Sequence, residues 1–150
     1  MRVLIQRVNE ASVKIEENRQ SHIKQGSLVL VGIEDEDDEN DIDWIIKKII
    51  NLRIFNDENS VMNKSIKDIN GEILVVSQFT LHASTKKGNR PSYIRAAKPS
   101  KAVCIYDKFC TELANQFGKE IQTGVFGANM QIKLINDGPV TIWIDSKQKE

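Results

Sequence analysis

The chain has little of what small domains use to hold themselves together. Its two cysteines, Cys104 and Cys110, and two histidines, His22 and His82, fall in no zinc-ligand spacing. Both cysteines are read as small core residues on the apolar stripe of a helix, so neither a metal nor a disulfide is expected. One domain spanning 1–150 is long enough to do without such staples, since a chain of this size buries about 68–70% of its unfolded surface. Long apolar runs are missing too. Stretches such as Leu28–Val31 and Ile73–Val76 fall far short of the ~20 residues that span a bilayer. The start, Met1 to Arg7, turns polar too soon for a signal-peptide core. These absences predict a soluble, cytoplasmic protein with no membrane partner.

Net charge is also absent. Lys and Arg number 21 and Asp and Glu number 21, which argues against a generic polycation binder. The two signs are segregated along the chain. Glu34 to Asp43 carries eight acidic residues and no base, and reads as a solvated loop entering a helix, where carboxylates suit the N-terminal dipole. It lacks the glycine and terminal glutamate of a calcium loop. Ile73 to Tyr106 contains no acid and includes Lys86, Lys87 and Arg90 around Gly88 and Pro91, a turn-rich loop. Such a loop either converges its cations on phosphate or is merely solvated.

Hydrophobic residues at 40% and charged residues at 28% rule out wholesale disorder. Val3–Val8 and Ala11–Ile15 predict two strands around Asn9-Glu10. Ser27–Ile33 predicts a strand covered on both faces. Ile42, Ile45, Ile46, Ile49 and Ile50 recur at helical spacing, with Asp38 or Asp41 placed to cap. Five isoleucines oppose intrinsic helix propensity, so burial must stabilise that helix. Glu72–Phe79 predicts a second buried strand. Ser100, after Pro99, is placed to cap a second helix with the stripe Val103, Tyr106, Cys110, Leu113 and Phe117, ending at Gly118. Met130–Ile135 and Val140–Asp145 alternate at period two. The fold class is mixed α/β, a single compact domain of twisted or barrel-like β-sheets with two packed helices.

Three segments depart from core-and-surface patterning. Ser77-Gln78-Phe79-Thr80-Leu81-His82-Ala83 ends a buried strand in hydroxyls, an amide and free backbone N–H groups, suited to an ester carbonyl and its oxyanion. An ordinary strand end with satisfied polar side chains is the alternative. Phe126, between Gly124 and Gly127, can stack on a base or plug the core. Asn136-Asp137-Gly138-Pro139-Val140-Thr141 has the Asp-Gly of a hairpin, followed by a proline that removes a donor from the next strand. Spacing alone predicts a trans Gly138-Pro139 bond, since only ~5–6% of X-Pro bonds in folded proteins are cis.

These segments, with Met1–Val8 and Asn51–Phe55, resemble the D-aminoacyl-tRNA deacylase family essentially end to end. One position departs, because His82 stands where the family usually has Tyr or Phe. The resemblance implies a homodimer, without metal or cofactor, that cleaves the ester of D-aminoacyl-tRNA, and of glycine mischarged on tRNA for alanine. It implies that Ser77, Gln78, Phe79 and Thr80 form the catalytic pocket. It also implies a cis-linked Gly138-Pro139 that enters the partner's pocket and excludes L side chains, with Arg7 supporting that motif. Gly138 adds no Cβ and Pro139 makes a cis bond accessible. Thr80 as a nucleophile lacks an evident base. If 77–82 were extended, His82 would share its face. The stronger reading borrows a ribose hydroxyl of the tRNA. Phe126 and Met130 are candidates for the adenosine pocket, and Lys86, Lys87 and Arg90 for tRNA phosphates. The alternative from another class is a non-catalytic tRNA-binding module of the same fold. A general esterase is disfavoured, because neither a Ser-His-Asp order nor a G-x-S-x-G elbow is present.

Overall fold

In the computed structural model, which describes residues 1–15 and 19–149, one long strand organises the rest. β1 (Arg2–Ile15) is followed by β2 (Arg19–Ile23), β3 (Gly26–Gly32), helix α1 (Glu39–Asn51), β4 (Phe55–Asn56), β5 (Met62–Lys64) and β6 (Glu72–Ser77). A 3₁₀ turn (Phe79–His82), helix α2 (Pro99–Phe117), β7 (Gln122–Thr123) and β8 (Met130–Asp145) complete the order. Along one edge β1 pairs antiparallel with β8, and along the other with β3 and then β2. β6 lies parallel to β3, and β7 parallel to β6. Ser21 Oγ donates to the Thr123 carbonyl at 2.8 Å, joining β2 to β7, so the sheet nearly closes into a barrel. The α/β class, the two helices and the barrel-like sheet agree with the sequence expectation.

Several local expectations are corrected. Asn9-Glu10 is no hairpin turn: β1 passes straight through, and the register against β8 slips by one residue there, as in a β-bulge. Val3 and Ile5 therefore face one apolar cluster, while Val8, Ala11, Val13 and Ile15 face the other. Met130–Asp145 is likewise one strand, since both its halves pair with β1. Between Gln6↔Thr141 and Val8↔Asn136, residues 137–140 loop out opposite Arg7. Period-two alternation on both sides of a turn fits a hairpin or a bulge equally, and a shared partner strand makes it a bulge.

The two helices cover one face of the sheet. α1 buries Ile42, Ile45, Ile46, Ile49 and Ile50 against Val3, Ile5, Val29 and Val31, each fully buried isoleucine contributing about 1.5–3 kcal/mol. Asp38 caps it in a reciprocal box with Asp41. In α2 the N-cap is Lys98 with Pro99 at the first helical position, not Ser100, and Ala102 and Phe109 join the buried stripe in place of Val103. Cys104 is exposed and Cys110 only half-buried, so the stripe does not account for Cys104. The acidic run is largely solvated and does enter α1, with Asp35, Glu36, Asp38 and Glu39 exposed, but Asp37 and Asp41 depart from that reading. Asp37 is buried and accepts from the Met1 ammonium, which Ser146 Oγ also meets at 2.8 Å and Glu34 at 3.7 Å.

Candidate active site

β6 ends at Ser77, and the next residues do not stay extended. The Gln78 N–H donates to the Val31 carbonyl at 2.7 Å, keeping the chain on β3, and Phe79–His82 then winds into the 3₁₀ turn. Gly32 makes that winding possible. A Cβ there would lie 3.0 Å from the Gln78 carbonyl oxygen, the Leu81 Cβ and the His82 ring, so glycine lets the turn settle on the sheet without displacing it. Within the turn the Gln78 amide donates to Thr80 Oγ1 at 2.7 Å. The geometry of a 3₁₀ start leaves the first N–H groups, those of Phe79 and Thr80, without intrahelical acceptors.

His82 points away from this chemistry. It is fully buried and neither ring nitrogen has a hydrogen-bond partner, so no Thr80–His82 pair exists. The extended geometry that would place both on one face is absent. Burial pushes the imidazole below its ordinary pKa; the adjacent Gly32 backbone and then Glu34 oppose this, and Arg2 and the Met1 ammonium add to it.

Beside the turn opens a cavity of about 700 Å³, lined by Ser77, Gln78, Phe79, Phe126, Met130 and Lys98 among others. Among the described residues Lys98 is the one charged residue of the lining, and no Asp, Glu, His or Cys reaches it. Phe126 leans on Tyr106 at 5.8 Å between ring centres, so it packs toward the core and still faces the cavity. Gly124 gives Met130 its place, because a Cβ there would meet the thioether sulfur at 2.6 Å. Phe79, Tyr93 and Ile94 form an exposed apolar rim, with Phe79 and Tyr93 edge to face at 5.0 Å. Tyr93, Ile94 and Gly32 carried no sequence signal of this role, which depends on contacts between distant segments.

Lys86, Lys87 and Arg90 are exposed on the loop that leaves after the turn and returns at this rim, closed by paired Ser84 and Ser92 backbone bonds of 2.8 and 2.9 Å. Among the described residues none of the three cations pairs with a carboxylate within 4 Å, and no cluster of three His, Cys, Asp or Glu forms a metal-ligating group.

The second motif stands apart. Gly138 and Pro139 are exposed at the tip of the looped-out segment, do not line the cavity of their own chain, and are joined by a cis bond, contrary to the spacing-based expectation. Arg7, buried opposite the loop, holds it. Its Nε lies 2.9 Å from Asp137 Oδ2 and 3.3 Å from the Asp137 carbonyl, while Nη1 donates to the Ile54 carbonyl at 2.6 Å. Asn136 closes the base, its amide donating to the Arg7 and Val140 carbonyls at 3.1 and 3.0 Å. Gly138 adopts φ +113°, and a Cβ would sit 2.8 Å from Arg7 Nη2.

The sequence profile described as D-Tyr-tRNA(Tyr) deacylase matches residues 4–145. Curated relatives named D-aminoacyl-tRNA deacylase in Bacteroides thetaiotaomicron and Flavobacterium johnsoniae are 63% and 62% identical, covering 100% of this chain and of each relative. A solved structure described as c-Myc DNA unwinding element binding protein superposes with a TM-score of 0.91 at 40% identity, over 97% of this chain and 98% of that one. Another, described as a probable eukaryotic D-amino acid tRNA deacylase, superposes at 0.82 with 16% identity over 95% and 97%, and shows the fold alone.

Proposed function

The chain belongs to the D-aminoacyl-tRNA deacylase family, and from that premise we propose that its cavity receives the aminoacylated 3′ end of tRNA and hydrolyses the D-aminoacyl ester. The observation that carries the mechanism is the cavity wall. It presents hydroxyls, an amide and main-chain donors, yet among the described residues no carboxylate, imidazole or thiol to serve as base or nucleophile. Water attacks the ester carbonyl with a ribose hydroxyl of the terminal adenosine assisting, and the bond to the ribose oxygen breaks to give free D-amino acid and tRNA. Ser77, Gln78, Phe79 and Thr80 orient the ester and donate to the developing oxyanion. Phe126 and Met130 contact the adenosine. Lys86, Lys87 and Arg90 hold phosphates without reading sequence.

Chirality is set by exclusion. In a homodimer, Gly138 and Pro139 of the partner subunit enter the pocket, their main-chain oxygens meet the substrate amino group, and the space an L side chain needs is filled. Support comes from the exposed tip, its separation from its own chain's cavity, and the Arg7 and Asn136 bonds that brace it. Glycine has no side chain to exclude, so glycyl-tRNA mischarged on tRNA for alanine is a substrate as well.

The test is release of D-tyrosine from D-tyrosyl-tRNA by purified protein in the presence of a chelator. Turnover above the uncatalysed rate is expected. A protein that binds the tRNA and leaves the ester intact would instead be a binding module of the same fold.

A further inference from the structure

At the end of the sheet four residues stand in one row. Asp145 on β8 pairs with Arg2 on β1, and Arg2 pairs with Gly32 on β3. Beyond Gly32 comes Gln78, the residue after Ser77, which is itself in register with Val31. Directly opposed residues of antiparallel strands present their side chains to the same face. Gly32 contributes nothing to that face, and the 3₁₀ turn fills the space. The Arg2 side chain therefore reaches the turn from the neighbouring strand: Nη1 donates to the Leu81 carbonyl at 3.1 Å, while Nε donates to Asp145 Oδ2 at 2.7 Å. Asp145 is buried and its other oxygen accepts the Lys147 N–H at 2.9 Å, so the carboxylate is fixed from both sides. Trp143 covers the guanidinium at 5.5 Å.

The Gln78 N–H bond to the Val31 carbonyl and the Gln78 amide bond to Thr80 Oγ1 restrain the start of the turn. Its own bonds are Leu81 N–H to the Gln78 carbonyl at 3.2 Å and Ala83 N–H to the Thr80 carbonyl at 3.0 Å. A short 3₁₀ segment with such bonds gains little stability by itself. A charge-assisted bond to Leu81, anchored on a buried carboxylate, is the stronger tie.

We infer that Arg2 is a positioning residue for the ester hydrolysis, locking the Leu81 carbonyl to Asp145 and so holding the turn that carries Gln78, Phe79 and Thr80. Arg2 itself touches no substrate, and its role rests on the reading of the cavity given above. It acts by keeping amide, hydroxyl and N–H groups in register with the ester. A buried carboxyl would ordinarily have a raised pKa, yet the Arg2 guanidinium and the Lys147 N–H hold Asp145 below the usual range, consistent with a standing ion pair.

The test compares Arg2→Met, which keeps an apolar stem and removes both bonds, with Arg2→Lys, which keeps one donor. Three quantities are read: the single-turnover rate on D-tyrosyl-tRNA, tRNA affinity, and amide exchange at Leu81 and Ala83. Arg2→Met should lower the rate about 10- to 100-fold, as expected for misplaced catalytic groups. Affinity should stay within about twofold, since binding and positioning are separate losses. Exchange at Leu81 and Ala83 should quicken about 10-fold while β3 amides are unchanged, a local rather than global opening. Arg2→Lys should recover part of both rate and protection. The inference is overturned if Arg2→Met keeps the parental rate and exchange, if β3 amides open to the same extent, or if Arg2→Lys is no better than Arg2→Met. Should the parent itself leave D-tyrosyl-tRNA intact, the functional reading fails, while the exchange data still decide whether Arg2 holds the turn.

Discussion

The Gln78 amide and the Thr80 hydroxyl are bonded at 2.7 Å, with Gln78 donating and Thr80 accepting. That arrangement occupies a lone pair of the Thr80 oxygen and offers nothing to remove its proton. With His82 buried and unpartnered, no side chain in the turn can act as the base a threonine nucleophile needs. The hydroxyl is a positioned dipole.

Thr80→Ala should therefore retain measurable single-turnover activity on D-tyrosyl-tRNA, losing no more than about 10- to 1,000-fold, the range for one oxyanion donor or orienting group. His82→Phe should stay within about threefold of the parent, because it replaces one buried ring with another of similar shape. A loss of about 10⁴-fold or more in Thr80→Ala, with tRNA binding kept, would mark a protein nucleophile.

His82 should instead register in stability against pH. Its pKa is below the ordinary 6.5 in the folded chain, mainly through burial. Between the folded value and 6.5 the unfolded chain holds a proton that the folded chain refuses, so stability falls as pH drops through that window. Asp37, whose burial raises its carboxyl above 3.8, gives the opposite slope at lower pH. Urea midpoints from about pH 7.5 to 5.5 should decline less in His82→Phe than in the parent. Parallel profiles in the two proteins would contradict this.

Replacing Lys86, Lys87 and Arg90 together should weaken tRNA binding and flatten its salt dependence. Removing one cation from a phosphate lowers the magnitude of the log–log slope by up to about 0.9, the duplex value. An unchanged slope would make the loop a solvated one. Among the described residues these cations pair with no carboxylate, and they sit on the segment that returns to the apolar rim, which is why they are chosen.

The parts of the fold with local causes were legible in the chain. Isoleucine spacing and the Asp38 box give α1, and the apolar run Ile73–Val76 gives β6, whereas the winding of Phe79–His82 had no local signal. Several of the misreadings share one physical origin, dependence on a distant partner. Alternation on both sides of Asn136–Pro139 cannot reveal that both halves pair with β1. Asp37 is buried because the Met1 ammonium, 36 residues away, meets it. Gly32 looks like an ordinary strand glycine until the turn is seen lying on it. In the site, Ser77, Gln78, Phe79, Phe126 and Met130 do converge on one cavity, Thr80 stands in the adjoining turn bonded to Gln78 without lining it, and Gly138 and Pro139 lie elsewhere on the chain.

Gly138→Ala tests whether that separation is bridged by a second subunit. The added Cβ would meet Arg7 and Val140 at 2.8 and 3.0 Å on a backbone of positive φ, so the bulge must shift. Turnover of D-tyrosyl-tRNA should fall about 10-fold or more. Mixed dimers with a Gln78→Ala/Thr80→Ala subunit contain one site built from an intact pocket and an intact bulge. Such dimers should recover roughly half the parental turnover, the share of one site in two. Mixed dimers as inactive as both parents would place the bulge in its own chain's site.

The most direct measurement compares single-turnover hydrolysis of D-tyrosyl-, L-tyrosyl- and glycyl-tRNA by the purified protein under one set of conditions. Exclusion by main-chain placement predicts rapid loss of the D and glycyl esters, with the L ester decaying only at its uncatalysed rate. Hydrolysis of the L ester as fast as the D ester, or refusal of the glycyl ester, would contradict it.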